Sequence, residues 1–123
     1  QAHAHPDYLP IPDILNDIAV VVLANGAPDD IMPIPYLPAS LQLTDADLGA
    51  ALTFVGFGTN GGASYQYGIK QRVENALDWI CYGPQDCFFG HFVLGRPNTI
   101  CQDQDPGGTC QGDSGGPALI KRG

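Results

Sequence analysis

The chain has 123 residues with 13 acidic and 5 basic side chains, which gives a formal net charge of -8 at pH 7. This balance argues against nucleic-acid binding through a basic patch, because the Lys and Arg residues are scattered except for Lys121 and Arg122. The longest apolar run, from Ile18 to Ala24, is too short to span a bilayer. Short apolar runs separated by 16 glycines and 11 prolines predict an all-β fold in which turns join short strands.

The first 35 residues contain an aspartate that opens a β-branched run. Asn16-Asp17-Ile18-Ala19 continues as Val20–Leu23, which predicts a strand, and Asn25–Pro28 predicts the turn after it. A carboxylate beside a buried strand requires a partner, because burying an unpaired charge is costly. Taken alone, Asp17 is more simply explained as the end of a polar turn.

A second strand is predicted in Ala51–Gly58, and it runs into a glycine pattern that is typical of nucleotide-binding proteins. The segment Gly56–Gly61 satisfies G-x-G-x-x-G, and Asp78 follows about 20 residues later. That fingerprint needs a helix to begin at its third glycine, and residues 61–68 are a poor opening for one. Helical character is confined to Lys70–Trp79, so a nucleotide-binding domain is a distant third possibility.

The most specific pattern is the octet Cys110-Gln111-Gly112-Asp113-Ser114-Gly115-Gly116-Pro117, followed by the strand-like Ala118–Ile120. A serine flanked by glycines can be held on a tight, exposed turn whose N–H groups point outward, which is the geometry that stabilises a developing oxyanion. Gly, Asp, Ser and Pro are also the commonest turn residues, so a plain turn is the alternative. The length of the pattern and the strand behind it favour a nucleophile loop.

The octet matches the active-serine signature of the chymotrypsin/trypsin-like serine proteases, and two upstream segments resemble the same family in the expected order. Asn16–Ala19 resembles the segment that carries the catalytic aspartate, and Ala51–Gly58 resembles the Gly-Trp-Gly strand that opens the second barrel, with Phe57 in place of tryptophan. The resemblance implies an all-β fold of two antiparallel Greek-key barrels, of which this chain represents the second half of the first and most of the second. It assigns residues 1–35 to the N-terminal barrel, 36–48 to the connection and 49–123 to the C-terminal barrel. It also places strand and loop where Lys70–Trp79 has helical character.

The resemblance implies a role for each residue of the candidate catalytic site. Ser114 is expected to be the nucleophile, and Asp17 is expected to orient and stabilise a histidine. The N–H groups of Gly112 and Ser114 are expected to form the oxyanion hole. Asp113 resembles the aspartate that pairs with the new amino terminus released when a zymogen is activated.

The substrate-binding positions implied by the resemblance are Gly108 and Thr109 at the specificity pocket and Gln111 at the border of the cleft. Trypsin-like members carry an aspartate where this chain has Gly108. We therefore expect cleavage after neutral, apolar or small residues, since an unpaired buried Lys or Arg is unfavourable. Asp103, Asp105 or an acidic residue outside the chain could restore a basic preference.

The third member of a Ser-His-Asp triad has no counterpart in this sequence. The mechanism needs a histidine to accept the serine proton, and in this family the histidine precedes the aspartate in an Ala-Ala-His-Cys context. His3 and His5 stand in other contexts, and His91 follows Asp17 in the chain. We expect either a fragment whose companion chain or cleaved segment carries the histidine, or a catalytically inactive homologue that acts as a binding module. The fragment interpretation is favoured because family strands beyond Gly123 are also missing, and it predicts exposed barrel edges and no stable fold in isolation.

Four cysteines bear on pairing and location. The resemblance favours a Cys87–Cys101 disulfide and a partner for Cys110 beyond the chain, which leaves Cys81 unassigned, and a Cys81–Cys87 loop is the competing pairing. The spacings differ from those of Cys-x-x-Cys zinc sites, so no metal is expected. Disulfides indicate oxidising surroundings. The sequence thus predicts a secreted endopeptidase that acts on polypeptides and has no cofactor, nucleic-acid partner or membrane partner.

Overall fold

The computed structural model describes residues 1–10, 15–60, 67–83, 88–89, 92–93, 99–105 and 107–122. The regular elements in these ranges are short β-strands and two single-turn 3-10 helices. The strands are β1 Ala2–Ala4, β2 Ala19–Val21, β3 Ala51–Gly56, β4 Gln71–Ala76, β5 Trp79–Cys81, β6 Phe88–Phe89, β7 Phe92–Val93, β8 Thr99–Cys101 and β9 Ala118–Ile120. The 3-10 helices are Ala39–Leu41 and Asp45–Asp47. The predicted all-β fold is confirmed, and no helix within the described ranges has the length and apolar character needed to cross a membrane.

The chain divides into two compact units, Gln1–Gln42 and Leu43–Gly123, and each is described by itself. In the first unit, β1 and β2 form an antiparallel ribbon in which His3 lies opposite Val20. The apolar β2 strand stays exposed, with 62% of the Val20 surface accessible to solvent. A ribbon of two short strands has too little surface to cover its own faces, so β2 gains hydrogen bonds without gaining a core.

The second unit is built around β3, the central strand of a three-stranded antiparallel sheet of order β4-β3-β9. Leu52 of β3 lies opposite Asn75 on one side and Ile120 on the other. Its side chain is 2% exposed, and Leu77 and Cys81 are fully buried. Burying one leucine side chain contributes roughly 2 kcal/mol, so this small cluster is the main apolar anchor among the described residues of the unit.

The segment with helical character, residues 70–79, does not form a helix. Gln71–Ala76 pairs along its whole length with β3, and Trp79–Cys81 pairs with β8. Six register partners on β3 satisfy the backbone of β4, and such tertiary pairing overrides a weak local helix preference. The strand and loop implied by the family resemblance are therefore the correct alternative. β6 and β7 form a further short hairpin.

Candidate active site

The octet 110–117 forms a turn that leads directly into β9. The Asp113 N–H donates to the Cys110 carbonyl at 3.0 Å, and the Gly116 N–H donates to the Asp113 carbonyl at 2.9 Å. Gly112 and Gly115 have φ angles of +95° and +81°. These are left-handed conformations that a side chain disfavours, so the glycines of the motif are required by the path of the backbone.

Asp113 joins this turn to the end of β3. One carboxylate oxygen, Oδ1, accepts the Gly58 N–H at 2.8 Å, and the other, Oδ2, accepts the Cys110 N–H at 2.9 Å. A Cβ atom on Gly58 would lie 2.6 Å from Oδ1, so only glycine leaves room for the carboxylate. The Thr59 N–H adds a bond to the Gln111 carbonyl at 2.9 Å. The turn is thus held by the sheet as well as by its own bonds.

Ser114 lies at the exposed outer side of the turn. The N–H groups of Asp113 and Gly116 are used inside the turn. Among the described residues, those of Gly112 and Ser114 donate to no backbone carbonyl. N–H groups without an internal acceptor are the kind of donor that an oxyanion requires, and the role of Gly112 and Ser114 as the oxyanion hole stays a prediction.

Gly108 and Thr109 line a cavity of about 480 Å³ between β3, β4 and the nucleophile turn. Asp113 lines it as well, whereas Ser114 is outside the described lining. A second cavity of about 690 Å³, with Leu52 and Trp79 in its wall, lies between the three-stranded sheet and the β5–β8 pair. Both cavities are large enough to hold side chains of another polypeptide segment.

Asp103 and Asp105 are the two residues of the chain whose carboxylates were predicted as alternatives for binding a Lys or Arg side chain of the substrate. The Asp103 carboxylate lies at the second cavity, where its Oδ1 accepts the Asp105 N–H at 3.1 Å. Both residues are exposed, and neither is among the described residues that line the cavity of Gly108. Gly108 and Thr109 thus line the same cavity, and its described lining includes no carboxylate from Asp103 or Asp105 to pair with a Lys or Arg side chain.

Asp17 belongs to the first unit, and Ser114 belongs to the second. Asp17 is exposed, as is the strand that it precedes. This differs from the buried carboxylate that the sequence pattern favoured, because β2 pairs only with β1 and has no covering layer within the described part of its unit. The expected role of Asp17 stays a prediction.

Two of the three histidines and three of the four cysteines lie among the described residues. His5 lies in a turn in which its Nδ1 accepts the Asp7 N–H at 3.1 Å. Cys81 is disulfide-bonded, and its sulfur lies 3.5 Å from that of Cys101. In its reduced form, Cys101 has a thiol whose pKa is raised by burial. Cys87 and His91 lie outside the described residues, so the Cys87–Cys101 pairing stays a prediction.

Sequence reasoning missed the part that the residues just after β3 play in holding the 110–117 turn. Besides Gly58, the buried Thr59 contributes its hydroxyl, which donates to the Cys110 sulfur at 2.9 Å. The signal was present, since glycines at alternate positions near a strand end indicate the close approach of another backbone. The same glycines also satisfy the weak nucleotide-binding pattern of residues 56–61, which obscured this indication.

Comparison with known proteins agrees with these features. The family model described as Trypsin matches residues 1–123. The chain is 31% identical to human granzyme M over 128 residues, which cover 97% of this chain and 46% of granzyme M. The chain thus spans less than half the length of that relative, and no solved structure matches it. With the family model matching along its whole length, the chain belongs to the trypsin family of serine proteases.

Proposed function

We propose that this chain supplies the nucleophile, the oxyanion hole and the triad aspartate of a secreted serine endopeptidase. The observation that carries the proposal is the 110–116 turn, in which an exposed Ser114 stands beside the N–H groups of Gly112 and Ser114. Membership of the trypsin family supports the same chemistry. The disulfide at Cys81 supports an oxidising location outside the cell.

The reaction follows from these groups together with one histidine. Ser114 Oγ attacks the carbonyl carbon of the substrate while the histidine takes the hydroxyl proton, and the oxyanion is stabilised by the Gly112 and Ser114 N–H groups. The C–N bond then breaks, and the histidine returns the proton to the leaving amine. Water activated by the same histidine hydrolyses the ester on Ser114. Asp17 accepts a hydrogen bond from the histidine and stabilises its charged form.

The histidine comes from a companion segment, by which we mean polypeptide outside residues 1–123, and the assembled protease is the chain together with that segment. The exposed apolar surface of β2 supports this part of the proposal, because such a surface is expected to be covered. In the second unit, the buried Oε1 of Gln102 has no hydrogen-bond donor among the described residues, and Gln102 lines the cavity of about 690 Å³. A segment packed into that cavity would supply the donor that a buried amide oxygen needs.

The proposed substrates are polypeptides with a neutral residue before the scissile bond. Gly108 contributes no side chain to the pocket, and a Lys or Arg substrate side chain would lack a carboxylate partner there. In the activated enzyme, Asp113 would also accept the new amino terminus of the processed zymogen. Its two bonds to the Gly58 and Cys110 N–H groups hold it in place before activation.

A fluorophosphonate probe tests the nucleophile, because an activated serine attacks phosphorus and ordinary surface serines do not. We expect the assembled protease to be labelled at Ser114, as read by peptide mass mapping, and Ser114→Ala to lose the label. Asp17→Asn should keep the fold and lower turnover by about 10⁴-fold, as in the Ser-His-Asp template. Labelling that survives Ser114→Ala would contradict the assignment.

An inactive homologue that acts as a binding module is the second candidate. The observation that favours it is the position of the three histidines, none of which stands in the family context of the catalytic histidine. The same experiment separates the two candidates. An assembled protein that is folded and binds its companion segment, but leaves Ser114 unlabelled, would establish the homologue and defeat the protease.

A further inference from the structure

The loop that precedes Gly108 is held by a side chain that no catalytic motif includes. Asn75, on β4, donates through Nδ2 to the Asp103 carbonyl at 2.6 Å and to the Gly107 carbonyl at 2.8 Å. The two acceptors lie at the two ends of the 103–107 loop. One amide group with two donors therefore sets the distance between the ends of the loop.

The connection between β4 and β5 adds a second attachment to the same loop. The Asp78 carboxylate accepts the Asp103 N–H at 2.5 Å, and the Asp78 N–H donates to the Cys101 carbonyl at 3.1 Å. Val73, two residues before Asn75 and therefore on the same face of β4, lies 4.0 Å from the position that a Cβ atom on Gly107 would take. The inward face of β4 thus supports the loop from its beginning to its end.

Within this loop, the Gln104 side chain occupies the space beside Gly108. A Cβ atom on Gly108 would lie 2.6 Å from Gln104 Cγ and 2.8 Å from its Cδ. Gln104 Nε2 also lies 3.4 Å from Thr109 Oγ1, to which it donates a long hydrogen bond. Gln104 and Thr109 line both cavities of the unit, so they form part of the wall between them.

We propose that Asn75 is a positioning residue for the specificity pocket. It holds the 103–107 loop so that the neutral amide of Gln104 lies beside Gly108 and forms the floor of the pocket. The inference rests on the proposed protease function for its substrate, but the positioning of the loop does not. An amide floor offers a donor and an acceptor to uncharged substrate side chains and no ionic partner to Lys or Arg. The substrate class is therefore peptides with an uncharged side chain before the scissile bond.

Asn75→Asp tests the positioning, because the carboxylate has the same shape but turns two donated bonds into repulsion with two carbonyl oxygens. We expect faster hydrogen exchange in residues 103–109, a shifted emission of Trp79, the one tryptophan of the chain, and unchanged exchange at Asp113 and Gly116. Asn75→Ser, which keeps one donor, should give an intermediate effect. Ala76→Asp is the matched control, since it adds the same charge at the neighbouring, exposed position of the same strand.

Turnover by the assembled protease gives a second readout. Asn75→Asp should raise KM about tenfold for substrates with an uncharged residue before the scissile bond and leave kcat within about twofold, the pattern of a change in pocket binding. Unchanged exchange in residues 103–109, a fall in kcat at constant KM, or the same effects from Ala76→Asp would overturn the positioning role. A wild-type protein without turnover would instead defeat the protease function, and the exchange experiment would then decide the positioning role by itself.

Gln104→Glu tests the floor directly and acts at an exposed position, so the fold should survive it. The carboxylate introduced beside Gly108 should increase kcat/KM for Lys and Arg substrates relative to uncharged ones by at least about tenfold. Gln42→Glu, which adds the same charge at an exposed position outside the residues that line the two cavities, is the control and should change this ratio by less than about twofold. Equal ratios for the Gln104→Glu variant and the wild type would overturn the assignment of Gln104 as the floor.

Discussion

The nucleophile turn and the strand after Asp17 carry motifs of the same family, yet they differ in how much of their environment the chain provides. The turn is held by the Asp113 carboxylate, which accepts hydrogen bonds from Gly58, two residues after β3, and from Cys110 within the turn. Within the described part of the chain, β2 pairs with three residues of β1, and Val20 and Val21 remain exposed. The comparison teaches that the turn around Ser114 is built from contacts within its own unit, whereas the strand after Asp17 has no covering layer within the described part of its unit.

The difference has a hydrogen-bonding cause as well as a packing cause. β3 is paired along its whole length by β4 and at Leu52, Thr53 and Phe54 by β9, and its Leu52 side chain is buried. Among the described residues β2 has one neighbouring strand, so its other edge is open to an incoming strand. Among the described residues, β3 thus lies between two partner strands in the second unit, whereas β2 in the first unit keeps one edge open to a further strand.

The largest expected effect contrasts the two apolar environments. Leu52→Ala should lower the free energy of unfolding by about 2–5 kcal/mol, because it leaves a cavity in the buried cluster of the second unit. Val20→Ala should change the stability of the second unit by less than about 0.5 kcal/mol, since Val20 is exposed and belongs to the first unit, and should weaken binding of the companion segment about tenfold. Amide hydrogen exchange of the β3 residues in the assembled protease, and titration with the companion segment, measure the two quantities. Equal loss of β3 protection from the two changes would contradict the comparison.

A smaller effect tests the contact between the turn and β3. Gly58→Ala should cost about 1–3 kcal/mol of unfolding free energy and speed exchange of the Thr59 and Asp113 amides, because the added methyl group overlaps the Asp113 carboxylate. Gly26→Ala is the matched control, as a Cβ atom there meets nothing within 4 Å. Amide exchange in the turn that is unchanged by both substitutions would contradict the role of the Asp113–Gly58 contact in holding the turn.

The smallest effect concerns the pH dependence of the ion pair between Asp47 and Arg122, which lies two residues after β9. The Thr44 N–H, at 2.8 Å, and Arg122, at 2.9 Å, hold the pKa of Asp47 below its ordinary value. A lowered pKa in the folded state means that the stabilisation is complete above the unfolded value of about 4 and is lost as pH falls through the folded value. Asp47→Asn should therefore lower Tm at pH 6, and the difference from wild type should shrink below about pH 4. A difference in Tm that stays constant down to about pH 2 would rule out this linkage.

Much of the second unit could be predicted from local sequence. The octet predicted a tight turn, and Gly112 and Gly115 have the left-handed conformations that favour glycine there. The apolar runs at Ala51–Gly58 and Ala118–Ile120 predicted strands, which the structure has as Ala51–Gly56 and Ala118–Ile120. These features depend on short-range conformational preferences, which sequence patterns report well.

The remaining features depend on contacts that are distant in sequence. Gln71–Ala76 contains good helix formers, and only its pairing with β3 makes it a strand. Asn75 was not singled out because its acceptors lie 28 and 32 residues away. The exposure of Asp17 could not be predicted either, because an apolar strand pattern reports the burial expected in a complete core and not the neighbours that one chain supplies.

The rate of fluorophosphonate labelling at Ser114, measured in the chain alone and in the assembled protease, tests the central claim most directly. The turn is built within the chain but its general base is not, so the account predicts labelling at least about 10³-fold faster after assembly, with Ser114→Ala unlabelled in both preparations. Equal rates in the two preparations would show that no companion histidine is needed. The absence of labelling at Ser114 in a folded, assembled protein would show that the turn has the shape of a nucleophile loop without its chemistry.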